Sequence, residues 1–254
     1  MKSLLSPRTR LVACTHTSNV LGSISDIRAV AETVHTIPGA LLCVDAVAYA
    51  PHRAVDVRAL GVDFYSFSWY KVYGPHIAVL YASAQAQKSL TSLGHYFRPS
   101  ASLEDKLGLA AANYELTAAV PAMCGYLASV PWADIAEHEE AISKILIDYL
   151  LENGERFGVR IYGEPTPDRE KRVPVISFTV ERRSSRAIVE AVEGRSSYGF
   201  RWGCFYSNTL VKEVLGLDPT DGVVRVSLVH YNTEEEVRGF VKVLEEVLRD
   251  GSSK

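Results

Sequence analysis

The sequence predicts an α/β protein, with a mainly parallel sheet in its first part and a smaller α+β domain at its C-terminal end. Three observations carry that prediction. From residue 11 to about 82, short strand-like runs alternate with helical or loop stretches, the pattern of parallel strands joined by crossovers. Beyond Gly158 the strands and helices follow one another without that regular alternation. A chain of 254 residues with 47% hydrophobic and 22% charged content is also long enough to bury a sizeable core in two parts. The expected domains are 1 to about 128 and 129 to 254.

Taken in order, Leu11 to Thr15 reads as a strand, and Ile24 to His35 as a helix with Ser23 or Ser25 near its N-cap. Ala40 to Asp45, Asp63 to Ser68 and Ile77 to Tyr81 read as further strands, and residues 84 to 105 as connection. Asn113 to Val130 is mostly apolar and reads as helical despite Pro121. Pro131-Trp132-Ala133-Asp134 opens a long amphipathic helix with Ile135, Ile142, Ile145, Leu146, Tyr149 and Leu150 at helical spacing, ended by Gly154 and Gly158. Val159 to Tyr162 and Val173 to Val180 are strand-like, Ser185 to Glu193 is helical, and Val223 to Val229 is a strand. Thr233 and Glu236 form a capping box that starts a final amphipathic helix reaching Leu248.

Charge and composition exclude several classes. A net charge of −3 offers nothing to a polyanion, and the basic clusters Arg169 to Arg172 and Arg182-Arg183 read as solvated surface rather than a nucleic-acid footprint. There is no run of about 18 apolar residues to span a bilayer, and the first eight residues are too quickly broken by Pro7 and Arg8 to be a signal peptide. The four cysteines are far apart, and Cys14 and Cys43 read as buried small hydrophobes, which fits a reducing cytosol. Neither the cysteines nor the seven histidines show zinc-ligand spacing, so no metal site is expected. A nucleotide-binding dehydrogenase fails as well, because there is no GxGxxG.

The chemistry concentrates on Asp45 and Lys71. Asp45 ends the apolar run Ala40-Leu41-Leu42-Cys43-Val44, and Lys71 follows the run Asp63 to Ser68. In open α/β sheets ligands bind outside the carboxyl ends of the strands, so both side chains are expected at one crevice. A carboxylate facing a ring nitrogen and a lysine forming a Schiff base is what pyridoxal 5'-phosphate needs, and desolvation of the lysine would free its lone pair. Taken alone, the same two residues also fit a turn or helix cap and a solvated strand-edge lysine.

Their surroundings narrow the choice. The stretch Thr9 to Gly22, the stretch Val44 to His52, the stretch Asp63 to Pro75 and the later stretch Val224 to Thr233 resemble, in order and spacing, the cysteine-desulfurase-like branch of the class V aminotransferases. The resemblance implies a partial fold-type-I large domain with a smaller C-terminal domain, and pyridoxal 5'-phosphate as cofactor. It implies an amino acid as substrate, a dimer, and a cytoplasmic transferase or lyase. It makes Lys71 the Schiff-base residue, and Ser68 and Tyr70 contacts of the cofactor phosphate, Tyr70 standing where most desulfurases have a histidine. It places Asn19 near the cofactor's phenolic oxygen and makes Arg225 the residue that grips the substrate α-carboxylate, a task suited to its planar fork.

The chain also departs from that pattern. Ala48 stands where many members have a glutamine or histidine, and Ala110-Ala111 where the family has a glycine-threonine that reaches the partner subunit's phosphate. The desulfurase nucleophile aligns near Tyr206, with Cys204 two positions early, and only a thiolate carries a persulfide. Desulfuration is therefore not the expected outcome, and elimination, decarboxylation with carbon–carbon bond formation and transamination stay open. Family members carry an N-terminal segment ahead of the point matched by Met1. The chain is accordingly expected either to complete its site with another copy or a fuller homologue, or to be a non-catalytic remnant that binds cofactor weakly.

Overall fold

Short, largely apolar runs of five residues build the first sheet. The computed structural model describes residues 2–92, 102–108 and 112–251. They group into two compact units, Met1–His16 with Ser25–Pro131, and Thr17–Ile24 with Trp132–Lys254. Residues 17–24, which the sequence reading keeps with the first domain, thus belong to the second unit.

In the first unit, β1 (Leu11–Thr15), β2 (Leu41–Asp45), β3 (Phe64–Ser68) and β4 (Ala78–Ala82) lie side by side in that order. The sheet is mixed and mostly parallel: β1, β2 and β3 run parallel, and β4 is antiparallel to β3. The reversal follows from the connection at 69–77, too short for a parallel crossover of a dozen residues or more. Leu42, Val44 and Tyr65 point to one face and pack against Ile27, Ala31 and Val34 of α1 (Ile27–Val34), with α2 (Val57–Leu60) alongside. The N-cap of α1 is Asp26, whose carboxylate accepts from the Ala29 amide at 3.0 Å, and not Ser23 or Ser25. Those serines are still in extended chain: Ser23 bridges to Arg172, and the Ser25 amide donates to the His16 carbonyl.

The stretch expected as plain connection holds two short helices, α3 (Ala84–Ser89), capped by Ser83, and α4 (Leu103–Leu107), whose Ser102 and Asp105 form a capping box. Ala86 and Leu103 cover Phe64 and Ala82 at one end of the other sheet face. On the rest of that face Leu11 (57% exposed) and Leu80 (42%) are left uncovered by the described residues. Next, α5 (Tyr114–Ala128) runs through Pro121 and lays Val120, Met123 and Leu127 against Trp69 and Val72.

After residues 17–24, the second unit continues with α6 (Trp132–Glu152) and the short α7 (Gly154–Phe157), closed by Gly158 in the left-handed conformation at φ +65°. Its sheet combines β5 (Val159–Tyr162), β6 (Val175–Val180), β7 (Arg201–Gly203) and β8 (Val223–Ser227) in the order β5-β6-β8-β7, antiparallel throughout. Together with α8 (Ser185–Glu193) and α9 (Glu234–Gly251), the sheet and α6 enclose the larger core around Ile142, Leu146, Ile176, Phe178, Ile188 and Leu244. Among the described residues no single helix is long and apolar enough to cross a membrane.

Two sequence readings need correction. Arg172, taken as solvated, is 1% exposed, and its guanidinium donates to the carbonyls of Glu164, Val175 (2.5 Å) and Leu21 (3.4 Å). Burial pushes its pKa down to about 10. Cys14 and Cys43 are half-buried rather than buried.

Candidate active site

In the first unit, two neighbouring parallel strands end side by side. Asp45 closes β2 and pairs in register with Ser66 of β3, so the period of two puts Asp45, Ser66 and Ser68 on one sheet face. The Asp45 carboxylate is exposed and accepts a bond from the Val47 amide at 3.0 Å, which sets its direction. Its backbone is held twice: its carbonyl accepts from the His16 amide at 2.8 Å, and the next amide, of Ala46, donates to the Ser66 carbonyl at 2.8 Å.

Beneath that strand end lies a feature the sequence reading missed. The His16 ring is stacked on Tyr49, with centroids 3.5 Å apart and planes 13° apart, and its Nδ1 is hydrogen-bonded to the Tyr65 hydroxyl at 2.7 Å. Burial pushes His16 down to about 4 and pushes the Tyr65 phenol up, Tyr49 adding to the latter. The available signal was phase: His16 continues the inward positions Val12 and Cys14 of β1.

Lys71 ends a 3₁₀ turn, Trp69–Lys71, directly after β3. Trp69 is buried and roots the turn, its carbonyl accepting from the Val72 and Gly74 amides at 2.8 Å each. Tyr73 has φ +62°, and a Cβ at Gly74 would lie 3.0 Å from the Trp69 Cβ and 3.1 Å from its carbonyl oxygen, a tight fit that favours glycine there. Lys71 itself is exposed, so the desolvation expected from the sequence is not supplied within this unit. Its Nζ sits 5.9 Å from the centroid of the Tyr70 ring, which stacks parallel on His76 at 5.3 Å. Ser68 is the N-cap of the turn by position, yet its hydroxyl makes no capping bond. Ala48 has no polar side chain to offer, and Ala110-Ala111 lie outside the described residues.

The second unit holds Asn19, Arg225 and the loop around Tyr206. Arg225 is in β8, between β6 and β7, paired with Ser177 and Arg201, and so is not on a sheet edge. Asn19 lies past the end of β1 in the 17–24 loop, which Ser18 shapes by accepting from the Leu21 amide at 3.0 Å. The Asn19 amide spans the 205–207 segment, Nδ2 donating to the Phe205 carbonyl at 2.8 Å and Oδ1 accepting from the Ser207 hydroxyl at 3.1 Å. Arg225 Nη1 donates to the Asn19 carbonyl at 2.9 Å. The Phe205 ring centroid lies 3.7 Å from the guanidinium carbon. Burial pushes Arg225 down, and its Nε is buried without a partner among the described residues. Cys204 is buried with its thiol on the Pro219 carbonyl at 3.1 Å, while Tyr206 is fully exposed.

The donor set of the first unit fits pyridoxal phosphate in kind: a carboxylate for a ring nitrogen, an amine for an aldehyde, and a hydroxyl and a phenol for a phosphate. The model of the aminotransferase class-V family matches residues 1–240. The chain is 57% identical over 251 residues to the aminotransferase-like protein FGM3 of Gibberella zeae, covering 98% of this chain and 61% of that protein. It is 45% identical over 250 residues to the cysteine desulfurase-like protein ustD of Aspergillus flavus, covering 98% and 56%. Among solved structures, the cysteine desulfurase CsdA of Escherichia coli shares the fold with a TM-score of 0.80 at 24% identity, over 97% of this chain and 61% of that one. The chain spans about 60% of the length of these curated relatives.

Proposed function

Since the chain belongs to the aminotransferase class-V family, we propose that it acts as a pyridoxal-phosphate-dependent transferase or lyase on an amino acid. The observation that carries this reading is the pairing of two parallel strand ends, one presenting Asp45 and the other leading through Ser68 into the Lys71 turn. When bound, the cofactor supplies an electron sink that lets a bond to the amino acid's α-carbon break. The Asp45 carboxylate holds the ring nitrogen protonated by its charge. The Ser68 hydroxyl and the Tyr70 phenol donate to the phosphate. The Lys71 amine would hold the cofactor at its aldehyde and, once released, would serve as the base that moves the proton at the substrate α-carbon. Arg225 takes the substrate carboxylate. Desulfuration is disfavoured, because Cys204 is buried on a carbonyl and the exposed tip of the loop is Tyr206.

The test is chemical. Full-length protein mixed with pyridoxal phosphate should develop a visible absorbance band, and borohydride should fix the cofactor onto the peptide containing Lys71. Labelling of any other lysine sinks the assignment.

A second reading is favoured by the exposure of Asp45, Lys71, Leu11 and Leu80. In it, the chain by itself binds cofactor weakly and acquires a closed site only when paired with another copy or a fuller homologue. A cofactor affinity that rises with protein concentration distinguishes this reading from the first.

A further inference from the structure

Two adjacent residues that are not glycine, Phe205 at φ +51° and Tyr206 at φ +64°, hold the left-handed conformation, which L side chains seldom adopt. Such strain persists only where the surroundings over-determine it. Asn19 supplies those surroundings, donating from Nδ2 to the Phe205 carbonyl and accepting at Oδ1 from the Ser207 hydroxyl. The same Asn19 offers its own carbonyl to Arg225 Nη1. The outcome is that the Phe205 ring lies flat enough on the guanidinium to bring its centroid within 3.7 Å. Arg225 is half-buried, and no carboxylate pairs with it among the described residues. Its burial is compensated by an aromatic face and one backbone oxygen, and its Nε keeps an unused donor.

We propose that Phe205 is the positioning residue for Arg225: its ring, fixed by Asn19, clamps one face of the guanidinium and leaves the remaining donors oriented for a carboxylate. The proposal rests on the reading of Arg225 as the carboxylate residue and adds the device that aims it. A guanidinium free to rotate loses the fixed fork that makes two-point binding selective. Phe205 acts through Arg225 and does not itself contact the ligand. The strained backbone at 205 and 206 is the cost of turning an aromatic ring, rather than the next side chain, onto the arginine.

The experiment uses the full chain, isotope-labelled, with acetate as the carboxylate probe and nuclear magnetic resonance on the Arg225 Nε–H and the Asn19 side-chain amide. In the wild type the Arg225 Nε–H should be displaced upfield by the Phe205 ring. Phe205→Leu should abolish that displacement and weaken acetate binding about tenfold, and Phe205→Trp should restore both. An undisplaced Arg225 resonance in the wild type overturns the proposal without recourse to any variant. So does a folded Phe205→Leu protein with unchanged acetate affinity. Arg225→Gln separates the two layers. If it removes the acetate response while Phe205→Leu does not, only the clamp fails; if the response at the Asn19 amide survives Arg225→Gln, the carboxylate reading fails and takes the clamp with it.

Discussion

The His16 ring is 3% exposed, stacked on Tyr49 and bonded to Tyr65, and burial pushes its pKa down to about 4 from an ordinary 6.5. Above about pH 6.5 it is neutral in both the folded and unfolded states. Between about 6.5 and 4 the unfolded chain binds the proton and the folded chain does not, so folding stability must fall as the pH drops through that window. Urea unfolding of the wild type between pH 7.5 and 4.5 should show this loss, and His16→Gln should flatten it. An unchanged slope in that variant removes His16 as its source. Because the His16 amide also donates to the Asp45 carbonyl, the ring and the strand end bearing Asp45 share one support.

At the scale of elements, caps and turns decide where the functional loops begin. Thr233 and Glu236 exchange bonds across the first turn of α9, the hydroxyl accepting from the Glu236 amide at 3.1 Å and the carboxylate from the Thr233 amide at 2.9 Å. This is the capping box read from the sequence, and Thr233→Ala should cost about 1 kcal/mol by denaturant titration. A cost near zero would mean that packing of Val237, Phe240 and Leu244 alone starts the helix. The strands and long helices were legible because periodicity is local: Ile142, Leu146 and Tyr149 repeat at helical spacing whatever they pack against. The helices α3 and α4 were not, being too short to show a period, although Ser83 and Ser102 ahead of them were available as cap signals.

For the whole molecule, the open face is the governing feature. Leu11 and Leu80 are exposed on the face of the first sheet that carries Asp45, and Tyr114 (75%) and Tyr126 (53%) are exposed on the almost uncharged α5. Exposed apolar side chains favour association, and isologous dimers are the commonest closed assemblies. The isolated chain is predicted to be a dimer or larger, with low cofactor affinity unless a second chain covers this face. Light scattering should report the assembly, and Leu11→Lys with Leu80→Lys should reduce it. A stable wild-type monomer that binds pyridoxal phosphate tightly would refute the prediction.

By itself the sequence determined the class of protein, the order of its main strands and helices, the strand end bearing Asp45, the turn bearing Lys71 after the next strand, and the arginine on β8. These are properties of runs, periods and short motifs, each contained within a few residues. Only the tertiary structure showed the partners of Arg172, His16, Phe205 and Asn19. Arg172 looked like surface because it stands in a charged run, and it is buried because the Leu21, Glu164 and Val175 carbonyls converge on it. The bonds of the Asn19 amide to residues 205 and 207 were likewise invisible in the sequence. Such partners lie far apart along the chain, and a hydrogen bond between distant residues leaves no periodic trace in the sequence of either. The physical reason is that local propensity acts along the chain, whereas burial and polar satisfaction act through space.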